Sequence, residues 1–229
     1  MKRIISLILI ALLCVGLCSC GKVSPNTSNT ADSNYYEYTG GEYGDDVSEP
    51  AFSEPATQVA EIDKSEITNV KMTVKNYGEI KLELYNNEAP ITVANFVKLV
   101  NEGFYNGLTF HRIMQGFMIQ GGDPEGTGMG GSDEEIKGEF IANGVANDIS
   151  HIRGVISMAR SSEMDSASSQ FFICDADSTF LDGQYAAFGM VTEGMEVVDK
   201  IAADAVPVDD NGTIPAENQP VIEKIEVIK

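Results

Sequence analysis

The sequence predicts a mainly β domain: a closed antiparallel eight-stranded β-barrel capped by two α-helices. Three observations carry that expectation. Short stretches with strand-like patterning recur after Ile67 and number eight. Turn signals separate them. Only two stretches repeat at helical spacing instead. About 160 residues is ample for one core of this kind, and no internal repeat is present.

The elements follow in order. Met72, Val74, Ile80, Leu82 and Leu84 alternate with polar residues around Asn76-Tyr77-Gly78-Glu79, which makes a β-hairpin with one wet face. Glu88-Ala89-Pro90 opens a helix with Pro90 in its first turn. Ile91, Ala94, Phe96, Val97 and Val100 form its apolar side, and Gly103 stops it. Phe110–Asp123 holds two short apolar runs flanking a Gln115-Gly116 turn. The glycine-rich run Gly126–Gly131 has no Lys-Ser/Thr after it and no nucleotide-fold context, so it reads as a loop rather than a phosphate cradle. Three further strands are Val155–Ala159, Phe171–Cys174 and Phe188–Val191. A second helix spans Met195–Ala202, with Val197, Val198 and Ile201 inward. After a polar excursion over Pro207–Gln219, Val221–Ile228 is the last strand.

Ahead of this domain, expected over residues 66–229, the composition changes twice. Lys2 and Arg3 precede the apolar run Ile4–Leu17, which has the layout of a secretory signal and is shorter than the roughly 20 residues a membrane span needs. Leu17-Cys18-Ser19-Cys20 resembles the lipobox of bacterial lipoproteins. That resemblance implies a signal peptide over residues 1–19 and a lipid on the Cys20 sulfur. Residues 21–63 carry nine acids against Lys22 and no apolar periodicity. Residues 20–65 therefore read as a disordered acidic linker, reaching roughly 35 Å as a flexible coil.

Charge and cysteine usage exclude several functions. A net charge of −20 is the wrong sign for holding phosphates, so no nucleic-acid partner is expected. His111, His151 and Cys174 show no metal-ligand spacing, so neither a metal nor another cofactor is expected. Cys174 reads as a buried apolar residue. No Gly-x-Ser-x-Gly elbow occurs, and Ser157, Ser161 and Ser162 lack a base partner in the sequence pattern. What remains is the stretch Phe110–Asp123. Period two places Met118 and Gln120 on one face and Ile119 on the other. The stretch offers an apolar surface with one guanidinium and one amide aimed over it. By the same alternation, His111 is expected to point away from Arg112 and to be structural. Gln170 and Phe172 share a face, leaving Phe171 and Ile173 for the core.

Three blocks in order carry a family resemblance: Phe110–Asp123, Ser168–Ile173 and Phe180–Gly189, with Ser157-Met158-Ala159-Arg160 between the first two. Over roughly Ile67–Ile228 the chain resembles the cyclophilin-type peptidyl-prolyl cis-trans isomerases. The resemblance implies that Arg112 is catalytic, supported by Phe117 and Gln120. It implies that Phe117, Met118, Phe172 and Leu181 line a proline pocket. Gln120 and Gln170 would hold the arginine or the substrate backbone, and Ala159 and Arg160 would lie along the peptide groove. Phe180 stands where the family often has tryptophan, which is expected to weaken cyclosporin binding. Tyr185 stands where it often has histidine and keeps an aromatic wall. The expected partners are proline-containing polypeptides and, through Cys20, the membrane. A monomer is expected, extracytoplasmic and lipid-anchored to the bacterial cell membrane. The alternative left open is a proline-peptide-binding module with little turnover.

Overall fold

The computed structural model describes residues 67–229. The expected signal peptide, the Cys20 lipidation site and the acidic linker lie outside the described residues. The domain contains β1 (Ile67–Val74), β2 (Gly78–Tyr85), α1 (Pro90–Asn101), β3 (Thr109–Met114), β4 (Met118–Asp123), β5 (Val155–Met158), β6 (Phe171–Cys174), β7 (Ala187–Glu193), α2 (Met195–Asp204) and β8 (Ile222–Ile228). All eight expected strands and both helices are present, with ends shifted by a few residues at most.

The strands form one antiparallel sheet in the order β3-β4-β6-β5-β7-β2-β1-β8. The sheet curls into a half-barrel, and its ladder is not closed all the way round as the sequence led us to expect. The edge strands β3 and β8 approach at one end through the Thr109–Val221 bridge and the backbone bonds around Gly107–Phe110. Further along, the edge of β3 is already occupied. Residues Gly212–Ile214 pair with it, through Ile113 N–H to Gly212 O (2.8 Å) and Ile214 N–H to His111 O (2.9 Å). A strand edge holds one partner at a time, so this segment excludes β8 there.

The inward faces build one large core. It contains Val70, Met72, Ile80, Leu82 and Leu84 from the first hairpin, with Phe110, Ile119, Ile156, Phe171 and Phe188. Helix α1 brings Phe96, which meets the Tyr105, Phe171 and Phe188 rings at 5.0, 5.7 and 5.3 Å. The expected face of α1 is rotated. Ile91 and Ala94 are exposed, whereas Thr92 and Asn95 are buried beside Val93, Phe96, Leu99 and Val100. The reason is polar: both buried residues carry hydrogen bonds into the body. Asn95 Nδ2 donates to Ser168 O (2.6 Å). Thr92 meets Glu139, a carboxylate that is 2% exposed.

Glu139 caps α1 from a distance. The residue before the helix, Ala89, has no side-chain acceptor for the free amides of the first turn. Glu139 Oε1 accepts from Ile91 N–H (3.1 Å), and Oε2 accepts from Thr92 N–H and Thr92 Oγ1 (both 2.7 Å). Removing that carboxylate leaves buried donors unpaired. Glu139→Ala is therefore expected to cost about 2–3 kcal/mol in denaturant unfolding. Glu139→Gln, which keeps one acceptor oxygen, should cost less. Equal stability of parent and Glu139→Ala would rule this cap out.

Candidate active site

Strands β4 and β6 bury apolar side chains on both faces. Ile119, Phe171 and Ile173 enter the main core, while Met118, Phe172 and Cys174 face outward. A smaller cluster forms there with Val155, Leu181 and Ala187, and it floors a cavity of about 350 Å³. The hairpin between β3 and β4 forms one side. Its turn closes through Phe117 N–H to Met114 O (3.0 Å), with Gly116 at φ +78, a conformation glycine adopts without strain. Asp175 Oδ2 accepts from Gly116 N–H (2.6 Å) and fixes the turn to the end of β6.

Arg112 projects from β3 beside this cavity. Its Nε–H donates to the carbonyl of Asn211 (2.7 Å) and its Nη1 to Gln120 Oε1 (3.1 Å). Nη2 lies 3.2 Å from Met114 Sδ, and Cζ lies 5.9 Å from the Phe117 ring centroid. The amides continue the chain. Gln120 Nε2 donates to Gln170 Oε1 (2.9 Å), and Gln170 Nε2 donates to Gly130 O (2.7 Å) and Gly128 O (3.1 Å) in the glycine-rich loop. Burial pulls the Arg112 pKa down, while Tyr185 and Asp209 push it back. A guanidinium keeps its charge through such shifts. The arrangement is a fixed cation over a greasy floor, with every acceptor around it neutral.

Nine of the eleven side chains implied by resemblance line this one cavity: Arg112, Phe117, Met118, Gln120, Ala159, Arg160, Phe172, Leu181 and Tyr185. Gln170 lines the adjoining cavity, which shares Gln120, Ala159 and Arg160. Phe180 lines neither. Its ring is 65% exposed and packs behind Phe117 at 5.5 Å. Tyr185 meets Phe172 edge-on at 6.0 Å, and the Arg160 guanidinium lies 4.7 Å from the Tyr185 ring centroid. Arg160 also donates to Gln184 O, so it braces the wall.

Residues 69–227 match the family described as cyclophilin type peptidyl-prolyl cis-trans isomerase/CLD. The chain belongs to the cyclophilin-type peptidyl-prolyl cis-trans isomerases. A peptidyl-prolyl cis-trans isomerase of Acinetobacter baylyi is 48% identical over 142 residues, covering 59% of this chain and 73% of that protein. Peptidyl-prolyl cis-trans isomerase A of Dickeya dadantii is 44% identical over 175 residues, covering 71% and 85%. The crystal structure of a Cryptosporidium parvum cyclophilin-type isomerase in the presence of the dipeptide Ala-Pro matches with a TM-score of 0.62 at 31% identity. It covers 70% of this chain and 99% of that one.

This cyclophilin site holds residues that sequence reasoning missed or misplaced. Along β3, Phe110 pairs with Gly121 and Arg112 with Gln120, so His111 is an extra, bulged residue. The bulge breaks the expected alternation. His111 lines the cavity on the same side as Arg112, is 3% exposed, and neither ring nitrogen has a partner among the described residues. Thr127, Gly128 and Met129 close one rim, and Asn211 and Thr213 close another. The bulge has no signal in the sequence. Asp209-Asp210-Asn211-Gly212 is legible as a turn, but not as one that lands beside Arg112.

Ser157 has a base partner after all. His151 Nε2 lies 3.0 Å from its Oγ, and His151 Nδ1 lies 2.9 Å from Asp182 Oδ1. His151 and Ser157 lie six residues apart and Asp182 a further stretch along the chain, and the three meet only in the fold. The array has the makeup of a hydrolytic triad, yet Ser157 and His151 are both fully buried. They sit beneath Phe172, whose ring stacks on His151 at 6.0 Å, with no path for a substrate carbonyl to reach Oγ. Asp182 also accepts from Ser150 Oγ (2.7 Å) and His151 N–H (2.7 Å). The network is fully bonded and ties the turn carrying Leu181 to the floor under Phe172. Burial likewise pushes the Cys174 thiol up to about 12, so it stays protonated and unreactive.

Burial lowers the pKa of both histidines. At His111, Asp123 opposes the shift, and at His151 Asp182 opposes it. An unfolded histidine gains its proton near about pH 6.5, whereas these two do so only at lower pH in the fold. The folded state therefore binds fewer protons as the medium is acidified. Their contribution to stability is complete above about pH 6.5 and is lost as pH falls through the folded values. The thermal midpoint is expected to drop from about pH 7.5 to about pH 5.5, and less steeply in His111→Gln. A midpoint flat over that interval contradicts the assignment.

Proposed function

We propose that Arg112 catalyses rotation about X–Pro bonds by binding the twisted imide better than either planar form. The observation that carries this reading is the guanidinium fixed by Gln120 and Asn211 at the edge of an apolar cavity. The barrier to rotation, roughly 20 kcal/mol, is amide resonance. Twisting removes that resonance, pyramidalises the prolyl nitrogen and localises its lone pair. No covalent bond breaks, so no nucleophile is required. A guanidinium N–H can donate to that lone pair only in the twisted state, which is differential transition-state binding. Phe117, Met118, Phe172 and Leu181 would seat the proline ring and exclude water, leaving the rest of the peptide to rotate. Gln170 and Gln120 would orient Arg112 or the substrate backbone. Ala159 and Arg160 would line the groove, with Tyr185 as its aromatic wall and Phe180 at its rim. A rate gain of about 10⁵ requires about 7 kcal/mol. A charge-assisted hydrogen bond in a site that expels water is an effect of that order.

The same reading extends to the whole chain. Residues 1–19 would be a lipoprotein signal peptide, Cys20 the lipidated residue, and residues 20–65 a spacer holding a monomeric isomerase domain off the membrane. The enzyme would then serve exported chains, where slow X–Pro isomerisation limits folding. Support comes from the Leu17–Cys20 lipobox resemblance and the acidic composition that follows it.

Two experiments test these statements. Arg112→Ala should lower kcat/KM on an Ala-Pro peptide by about 10²–10³-fold in an NMR exchange assay. Arg112→Lys should not rescue it, because an ammonium on a flexible stem cannot reproduce the two anchored guanidinium bonds. An Arg112→Ala protein as fast as the parent would overturn the mechanism. For the anchor, the expressed full chain should take up labelled fatty acid and sediment with membranes, and Cys20→Ser should do neither. Fatty-acid labelling that survives Cys20→Ser would reject Cys20 as the site.

A further inference from the structure

The free edge of β3 is covered by a segment that belongs to no regular strand. Thr213 stands opposite Arg112 in an isolated antiparallel bridge, and the bonds at Ile113 and Ile214 flank it. Gly212 has φ +86, and a Cβ there would stand 2.6 Å from Ile113 O, so only glycine permits this approach. The segment turns back on itself through Val208 N–H to Thr213 O (2.9 Å) and Gly212 N–H to Asp209 O (3.2 Å). Inside the turn, Asp209 Oδ1 accepts from Asn211 N–H (3.1 Å) and Thr213 N–H (3.0 Å). Those backbone donors hold its carboxyl below the usual carboxylate range. At the tip, the Asn211 carbonyl accepts Arg112 Nε–H (2.7 Å).

The geometry points to Asp209 as a positioning residue for Arg112: its carboxylate sets the turn that holds the Asn211 carbonyl against Nε. This inference rests on the catalytic role proposed for Arg112. The physical need is plain. Arginine has a long stem with several rotatable bonds, and one anchor at Nη1, from Gln120, leaves the guanidinium plane free to swing about it. The second anchor at Nε fixes the plane. The two remaining neighbours, Met114 Sδ and Met118 Sδ, are weak acceptors at 3.2 and 3.8 Å and hold no orientation by themselves. Asp209 touches no part of the apolar floor, so its loss should disturb the reacting cation and spare peptide binding.

The test uses the full chain with Asp209→Ala, Asp209→Asn and Arg112→Ala, on an Ala-Pro peptide. Asp209→Ala should lower kcat about fivefold with KM within about twofold, since a misplaced catalytic group affects the chemical step. Asp209→Asn keeps an acceptor oxygen for both backbone donors and should restore most of the loss. The Arg112 Nε–H resonance gives a readout independent of turnover. It should be sharp and protected in the parent and in Asp209→Asn, and broadened by solvent exchange in Asp209→Ala. An unchanged kcat and resonance in Asp209→Ala, alongside an inactive Arg112→Ala, overturns this inference and leaves the catalytic role standing. An Asp209→Asn as slow as Asp209→Ala also overturns it, because charge and not the turn would then be responsible. Parent-like activity in Arg112→Ala overturns both.

Discussion

The whole site depends on two strands that bury both of their faces. An antiparallel strand with one wet side reads as alternating apolar and polar residues. β4 and β6 instead place Ile119, Phe171 and Ile173 in the main core and Met118 and Phe172 in the cavity floor. One stretch of backbone therefore sets both the packing of the interior and the position of the reactive surface. The floor inherits the rigidity of the core, because moving Phe172 means moving its neighbours Phe171 and Ile173 against a packed interior.

The polar half of the site is built differently. Arg112, Gln120 and Gln170 form a line of donors into acceptors that ends on the carbonyls of the glycine-rich loop. Its members come from β3, β4, the approach to β6 and a loop, so the line forms only when all four are in place. The buried Asp182–His151–Ser157 network does similar work below the floor, joining the turn after Thr179–Leu181 to β5. The acceptors of the first network are neutral; the second carries the Asp182 carboxylate, which is engaged by Ser150, the His151 backbone and the His151 ring.

Much of this was legible in the sequence because the key residues sit in contiguous blocks with regular alternation. Met118, Gln120, Gln170 and Phe172 follow period two, and the fold honours it. Where prediction failed, the cause was a partner supplied from elsewhere. His111 lines the cavity because a bulge adds one residue to β3. Thr92 and Asn95 are buried on α1, and Ile91 is not, because Glu139 and the Ser168 carbonyl receive their hydrogen bonds. Ser157 acquires a base only when the chain brings His151 against it. The open ladder follows from Gly212–Ile214 occupying an edge that β8 would need. Apolar periodicity records which residues leave water, but not which distant acceptor awaits a polar one.

Cys174 carries a consequence of its own. It is the only cysteine among the described residues, and it is fully buried with its thiol held protonated. A domain built this way has no disulfide to form or protect. Its folded state holds no disulfide whose formation depends on the redox potential of the surroundings. Once folded, it presents no accessible thiol for disulfide exchange, and with a single cysteine it has no internal bridge to form.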